Sequence, residues 1–392
     1  MRKGVALLIL AMILAGCGGA RLADHPAPAA KVDDRVAAAS SRFGIELLKQ
    51  VYKGENAFLS PTSASLVLSL TAGGARGETQ AQMLQALGFR EIAIDEIHKA
   101  NGQLQSILTN PDPKVAVSLA NAVWHRTGLK VAPAFAETAR QHYGAAIDSA
   151  EFGDPSAVKK INDWTAKATK QKIKELLAST SPSDVMILVN AIYFYGDWQR
   201  PFIPEQTREG PFTRIDGSTK PVKFMHQEGV YRYLEQDGVR GIRLPYGHGR
   251  LALYAIMPDR WDGFIDGLTA ERWAQYMDGF GQERIRLAMP RVKLEYKTGL
   301  VDPLAALGMG IAFRPHQADL TGLFEQPPRR MVISKVLQKS FLEISEEGTE
   351  AAAATGVAVA VTSAPPEPPP DLRLDRPFLL AIRDDQTGPN LF

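Results

Sequence analysis

The chain has 392 residues, 45% apolar and 22% charged, enough to bury a large core as a soluble globular protein. A net charge of +2 leaves no excess for gripping nucleic acid or an anionic membrane patch. One cysteine rules out a disulfide within the chain, and seven scattered histidines leave little material for a metal site.

Residues 1–16 carry Arg2 and Lys3, an apolar run from Val5 to Leu14 and the small pair Ala15-Gly16. That is the layout of an export signal, and its apolar run is far shorter than the ~20 residues that span a bilayer. Leu14-Ala15-Gly16-Cys17 resembles the lipobox of bacterial lipoproteins. The resemblance implies lipidation at Cys17 and, since Gly18 rather than Asp follows, anchoring at an outer membrane or cell surface. An ordinary secretion signal with a chance cysteine is the alternative. Residues 17–34 read as a flexible tether reaching ~20–25 Å, with the folded domain over 35–392.

The first helix is expected over Arg35–Lys53, with Phe43, Leu47 and Val51 on one face and Gly54 as its stop. A second begins at Ser60-Pro61, a good cap followed by a residue pre-set for the first turn, and ends before Gly73-Gly74. A third runs from Glu78 to Gly88. Strands are expected over Val115–Trp124, Asp184–Tyr195, Arg284–Leu294, Met331–Ser345 and Phe378–Arg383. Asp184–Tyr195 lacks polar alternation, so it reads as buried on both faces. A Lys-rich amphipathic helix is expected over Ala157–Leu177; its lysines suit a solvated face better than a polyanion site. Helices early and strands late, without a βαβα rhythm, indicate α+β.

Residues 349–361 sort by parity. The odd positions are Thr349, Ala351, Ala353, Thr355, Val357, Val359 and Val361; the even ones are Glu350 followed by Ala352, Ala354, Gly356, Ala358 and Ala360. This is a latent strand with one buryable face and nothing bulky. Gly348 and Gly356 loosen it. A helix over Glu346–Ala354 and a plain linker over 349–371 are the competing readings. The run Pro365-Pro366-Glu367-Pro368-Pro369-Pro370 is an exposed, extended segment.

Glu346-Glu347-Gly348-Thr349-Glu350-Ala351-Ala352-Ala353-Ala354 resembles the proximal hinge of inhibitory serpins. Seven further stretches resemble that family in the right order: Asn56–Ser63, Gly73–Thr79, Asn190–Trp198, Leu244-Pro245-Tyr246, Met289-Pro290, Ala318–Gly322 and Arg376-Pro377-Phe378. The likeness spans about residues 36–392. It implies an α+β fold of three sheets and about nine helices, metastable, with an exposed reactive loop over about 346–371. Asp184–Tyr195 and Met331–Ser345 would be neighbours in the main sheet. A serine protease would cut the loop and become covalently linked to it; the freed loop would then insert between those strands and distort the enzyme. The serpin would supply no catalytic group and need no cofactor or metal, and would act as a monomer.

Family spacing from Glu346 sets the scissile bond at Thr362-Ser363, with Val361 or Ala360 as alternatives. These small, uncharged side chains suit the shallow pocket of elastase-like proteases, with subtilisin-like enzymes next. The resemblance assigns Glu346, Gly348, Thr349, Ala351, Ala352, Ala353 and Ala354 to the hinge. It assigns Ser60, Ser63 and Asn190 to a polar cluster beneath the opening site, and Trp198 and Lys335 to the region where insertion begins. Three departures stand out. Gln338 occupies a position where the family usually has His, the loop after Ser363 is longer and proline-rich, and the chain stops at Phe392 where the family continues. No Gly-x-Ser-x-Gly, His-Glu-x-x-His or phosphate-loop motif occurs, so an enzyme is not expected. A non-inhibitory serpin, a carrier, chaperone or scaffold, is the main rival; the small hinge residues favour inhibition.

Overall fold

The structure, a computed structural model, describes residues 32–109, 111–327, 331–349 and 368–392. Four helices open the chain: α1 Asp34–Val51, α2 Pro61–Gly74, α3 Gly77–Ala86 and α4 Ile94–Thr109. Asp33 caps α1 by accepting the Arg35 N–H, and Phe43, Leu47 and Val51 are buried as their spacing requires. Val32, assigned to the tether by sequence, is buried in the core, so the folded part begins ahead of Arg35. Ser60 caps α2 through its Oγ, which accepts the Ser63 N–H, and Pro61 opens the first turn. Nearly all of α2 is buried, so it threads the core and keeps no solvated face.

Strands then dominate. In order they are β1 Val115–Arg126, β2 Ala146–Ala150, β3 Met186–Asp197, β4 Arg208–Thr213, β5 Thr219–Gln236, β6 Val239–Pro245, β7 Leu251–Pro258, β8 Gly281–Pro290, β9 Val292–Gly299, β10 Lys335–Ile344, β11 Gly348–Thr349, β12 Asp371–Arg373 and β13 Leu379–Asp384. Between them lie α5 Pro133–Thr138, α6 Pro155–Ala168, α7 Ala270–Gly279 and the short α8 Val301–Leu304. Eight α-helices, with brief 3-10 and π turns, occur among the described residues.

Two expected elements needed correction. The strand Arg284–Leu294 is two strands in different sheets, β8 and β9, because Pro290 has no N–H to continue a ladder and the Arg291 N–H turns to Lys223 O. The helix Ala157–Leu177 ends at Ala168; the chain reverses there through left-handed Lys170 and Gln171, and the rest crosses the sheet as coil.

The six-stranded main sheet runs β2-β1-β3-β11-β10-β9. Its pairings are antiparallel except β1 with β2 and β3 with β10. The second ladder runs β12-β8-β5-β6-β7-β13, with β4 on β5. Two of the three expected sheets are continuous here, because β5 pairs with β4 at its start, β8 through its middle and β6 at its end. One core packs α1–α3 under the main sheet, and a second fills the space between the two sheets. On the outer face of the main sheet, α6 and the coil after it lie across β3 and β10.

Candidate functional site

β3 is buried on both faces over most of its length, as a run apolar on both sides of Asn190 requires. It pairs in parallel with β10 over seven residues, from Lys335 opposite Ile187 to Phe341 opposite Tyr193. Beyond Tyr193 the strands part, and β11 fills the gap. Gly348 faces Asp197 and Thr349 faces Gly196 on one side, while Ile344 pairs with Thr349 on the other. The seam is therefore closed along most of its length and already occupied by the hinge at one end.

The hinge end is built for close approach. A Cβ on Gly348 would fall 2.1 Å from Gly196 O, and Gly348 has φ of +155°. A Cβ on Gly196 would fall 2.9 Å from the Tyr246 ring. Thr349 is fully buried, with Oγ1 2.6 Å from Tyr246 Oη. Burial holds the Tyr246 phenol protonated, well above its ordinary range. Trp198 stacks on Tyr246 at 4.4 Å and donates its Nε1–H to Ser345 O at 2.9 Å. The backbone N–H groups of Trp198 and Phe202 donate to the carbonyls of Glu347 and Glu346.

The Glu346 carboxylate is buried and accepts from Arg291 Nε at 2.8 Å, Arg291 Nη2 at 2.5 Å and Thr207 Oγ1 at 2.5 Å. Burial pushes its pKa up, but the Arg291 and Thr207 hydrogen bonds outweigh that and hold it below the usual carboxylate range.

Along β3 a neutral cluster crosses the closed seam. Gln338 Nε2 donates to Asn190 Oδ1 at 2.5 Å and to Ser60 O at 2.9 Å, while its Oε1 accepts the Ser60 N–H at 2.9 Å. Asn190 Nδ2 lies 2.5 Å from both Ser63 Oγ and Asn121 Oδ1, and Ser60 Oγ donates to Leu391 O. All of these side chains are buried. The amide at 338 thus reads one backbone N–H and one carbonyl together, while joining β10 to β3.

Ser60, Ser63, Asn190 and Gln338 therefore meet in one cluster, and Trp198 stands with Glu346, Gly348 and Thr349 at the hinge. Lys335 is misplaced in the sequence reading. It sits ~30 Å along β3 from the hinge, opposite Ile187, where its Nζ pairs with Asp184 at 2.5 Å. Cys17, Ala351, Ala352, Ala353, Ala354, Ala360, Val361, Thr362 and Ser363 lie outside the described residues. The sequence reading did not pick out Asn121, Thr207, Tyr246 or Arg291 as site residues. Tyr246 lay within a quoted motif; the other three carried no local signal, being ordinary polar residues brought in by distant strands. Among the described residues no group of His, Cys, Asp and Glu is arranged to hold a metal ion, and no helix is long and apolar enough to cross a membrane.

Comparison with known proteins agrees with this geometry. The pig (Sus scrofa) leukocyte elastase inhibitor is 34% identical over 378 residues, covering 92% of this chain and 98% of that protein. The thermophilic serpin tengpin in its native state superposes with a TM-score of 0.86 at 31% identity, covering 93% of this chain and 94% of that one. Human thyroxine-binding globulin complexed with thyroxine has a TM-score of 0.84 at 24% identity, covering 91% of this chain and 96% of that one, and speaks for the fold alone. The family model described as serpin (serine protease inhibitor) matches residues 38–392, and the chain belongs to that family.

Proposed function

We infer that the protein inhibits a serine protease by inserting its cut reactive loop between β3 and β10, leaving the enzyme covalently attached. The observation that carries this is the position of β11. Gly348 and Thr349 already pair with β3, and Thr349 with β10, so the antiparallel ladder has a start and a direction. Continuing that register by six residues brings Thr355 opposite both Asn190 and Gln338. A threonine hydroxyl there can replace the amide bond that crosses the closed seam. The odd positions from Thr349 to Val361 would turn toward the buried face, where Thr349 already lies, and all are Thr, Ala or Val. About a dozen new ladder bonds, each about 1 kcal/mol net, supply the driving force.

Relatives named as elastase inhibitors and the small residues around Thr362-Ser363 support an elastase-like target, with subtilisin-like enzymes second. We further propose a secreted, monomeric lipoprotein held at an outer membrane or cell surface through Cys17. Incubation with pancreatic elastase followed by a denaturing gel tests the inhibitory reading. A band near the summed masses, and a large rise in melting temperature after loop cleavage, are expected. Clean cleavage with neither would make the protein a non-inhibitory carrier, chaperone or scaffold.

A further inference from the structure

The turn that ends α6 puts residues with side chains where the turn after α3 uses glycine. Thr169 is the cap, the Lys170 N–H donates to Lys167 O and the Gln171 N–H to Ala166 O. This is the hydrogen-bond pattern of a Schellman stop, whose left-handed residue is ordinarily glycine. Gly88 after α3 and Gly144 after the π turn Ala139–Tyr143 fill such positions, each with positive φ. After α6 the residues are Lys170 at φ 49° and Gln171 at φ 67°, the only adjacent non-glycine pair with positive φ among the described residues. Both side chains are exposed. Left-handed backbone at a residue with a Cβ is strained, and such strain persists only where surrounding structure enforces it.

The segment that begins with this turn grips both sides of the seam. On the β3 side, Lys170 Nζ lies 5.6 Å over the Tyr193 ring, and Ile173 packs on Ala191 and on Ala120 of β1. On the β10 side, Lys339 Nζ donates to Glu175 O at 2.8 Å and Lys335 Nζ to Ser179 O at 3.3 Å. Residues 169–179 are therefore a strap across the line along which β3 and β10 must part. Parting of β3 and β10 would pull on both grips.

We propose that Lys170 and Gln171 form a strained catch on this strap that sets how fast the seam opens. The proposal rests on the insertion reading above. Backbone strain raises the energy of the closed sheet and is released on opening, so it speeds insertion. The contact of Lys170 with Tyr193 holds the strap down and slows it.

The test uses the full chain, with pancreatic elastase and subtilisin as probes, and follows the rate of covalent complex formation and the melting temperature of the uncut protein. Gln171→Gly, which relieves strain and leaves the Lys170–Tyr193 contact in place, should melt about 1–2 °C higher and form complex about three- to fivefold more slowly. Lys170→Ala keeps the strain and loses the ring contact; it should form complex about two- to fivefold faster. Lys174→Ala, an exposed lysine in the same segment, should change neither. Trapping by the wild type with unchanged rates and melting in the glycine variant overturns the catch alone. Cutting of the wild-type loop by both proteases, without complex and without heat gain, overturns insertion and the catch with it.

Discussion

At one end of the seam a charged clasp, Glu346 on Arg291 and Thr207, steadies a hinge that already lies in the sheet. About 20 Å along β3, an uncharged clasp, Gln338 on Asn190 and Ser60, holds the sheet shut. The first leans on a partly solvated arginine, whose side chain is 43% exposed; the second is sealed from water. The difference separates two jobs. A clasp with one partner in water can be released at modest cost, whereas buried amides give up their bonds only when another hydrogen-bonding group arrives to take them.

The strongest way to break this comparison is Thr349→Arg. The new side chain would need a buried, unpaired charge where Thr349 meets Tyr246. Covalent trapping should vanish and every cut loop become simple product on a gel; normal trapping would mean that the hinge does not enter the sheet. Next in size is Gln338→Leu, which leaves the Ser60 N–H and Asn190 Oδ1 without these partners. Denaturant unfolding should show a loss of about 2–4 kcal/mol, with faster spontaneous conversion of the uncut chain. A loss below about 0.5 kcal/mol would remove the lock from the neutral end.

Glu346→Gln is milder, at about 1–2 kcal/mol near neutral pH, because the amide still accepts from Arg291. The folded pKa of Glu346 is depressed, so its contribution is complete above the unfolded value near 4.5 and disappears as pH falls through the folded one. The stability gap between wild type and Glu346→Gln should therefore close below about pH 4.5, while the gap for Gln338→Leu stays flat from pH 4 to 8.

One group away from the seam must be subtracted in that acid series. Burial, with His142 nearby, lowers the His98 pKa to about 4, and its Nδ1 lies 2.7 Å from Tyr143 Oη. A histidine kept neutral in the fold costs stability once the unfolded chain begins to bind its proton. That loss starts near pH 6.5 and levels off near 4. His98→Gln should flatten this slope, the smallest of these effects, in unfolding curves taken across that range.

Much of this was legible in the residues themselves. The apolar run from Met186 to Phe194 specified a strand buried on both faces, and the Ser60-Pro61 pair specified the start of a core helix. The family likeness then selected Asn190, Gln338 and Thr349 from among ordinary polar residues. What stayed hidden was long-range or conformational. Arg291 reaches Glu346 only because Pro290 breaks one apparent strand into two that belong to different sheets. The Lys-rich periodicity ran on past Ala168, since neither Lys170 nor Gln171 is a residue that announces a helix stop. The position of Lys335 at the far end of β10 depends on strand direction, which side-chain alternation does not encode.

β3 and β10 run the same way, among the described residues the only such pair inside the main sheet apart from the edge strand β2 with β1. Slanted parallel bonds are slightly weaker per residue than perpendicular antiparallel ones. Any strand arriving between them in the direction set by Gly348 and Thr349 would make both of its borders antiparallel. The sheet is thus perforated, like a sheet of stamps, along its least tightly stitched row, and tearing there converts one inferior ladder into two better ones.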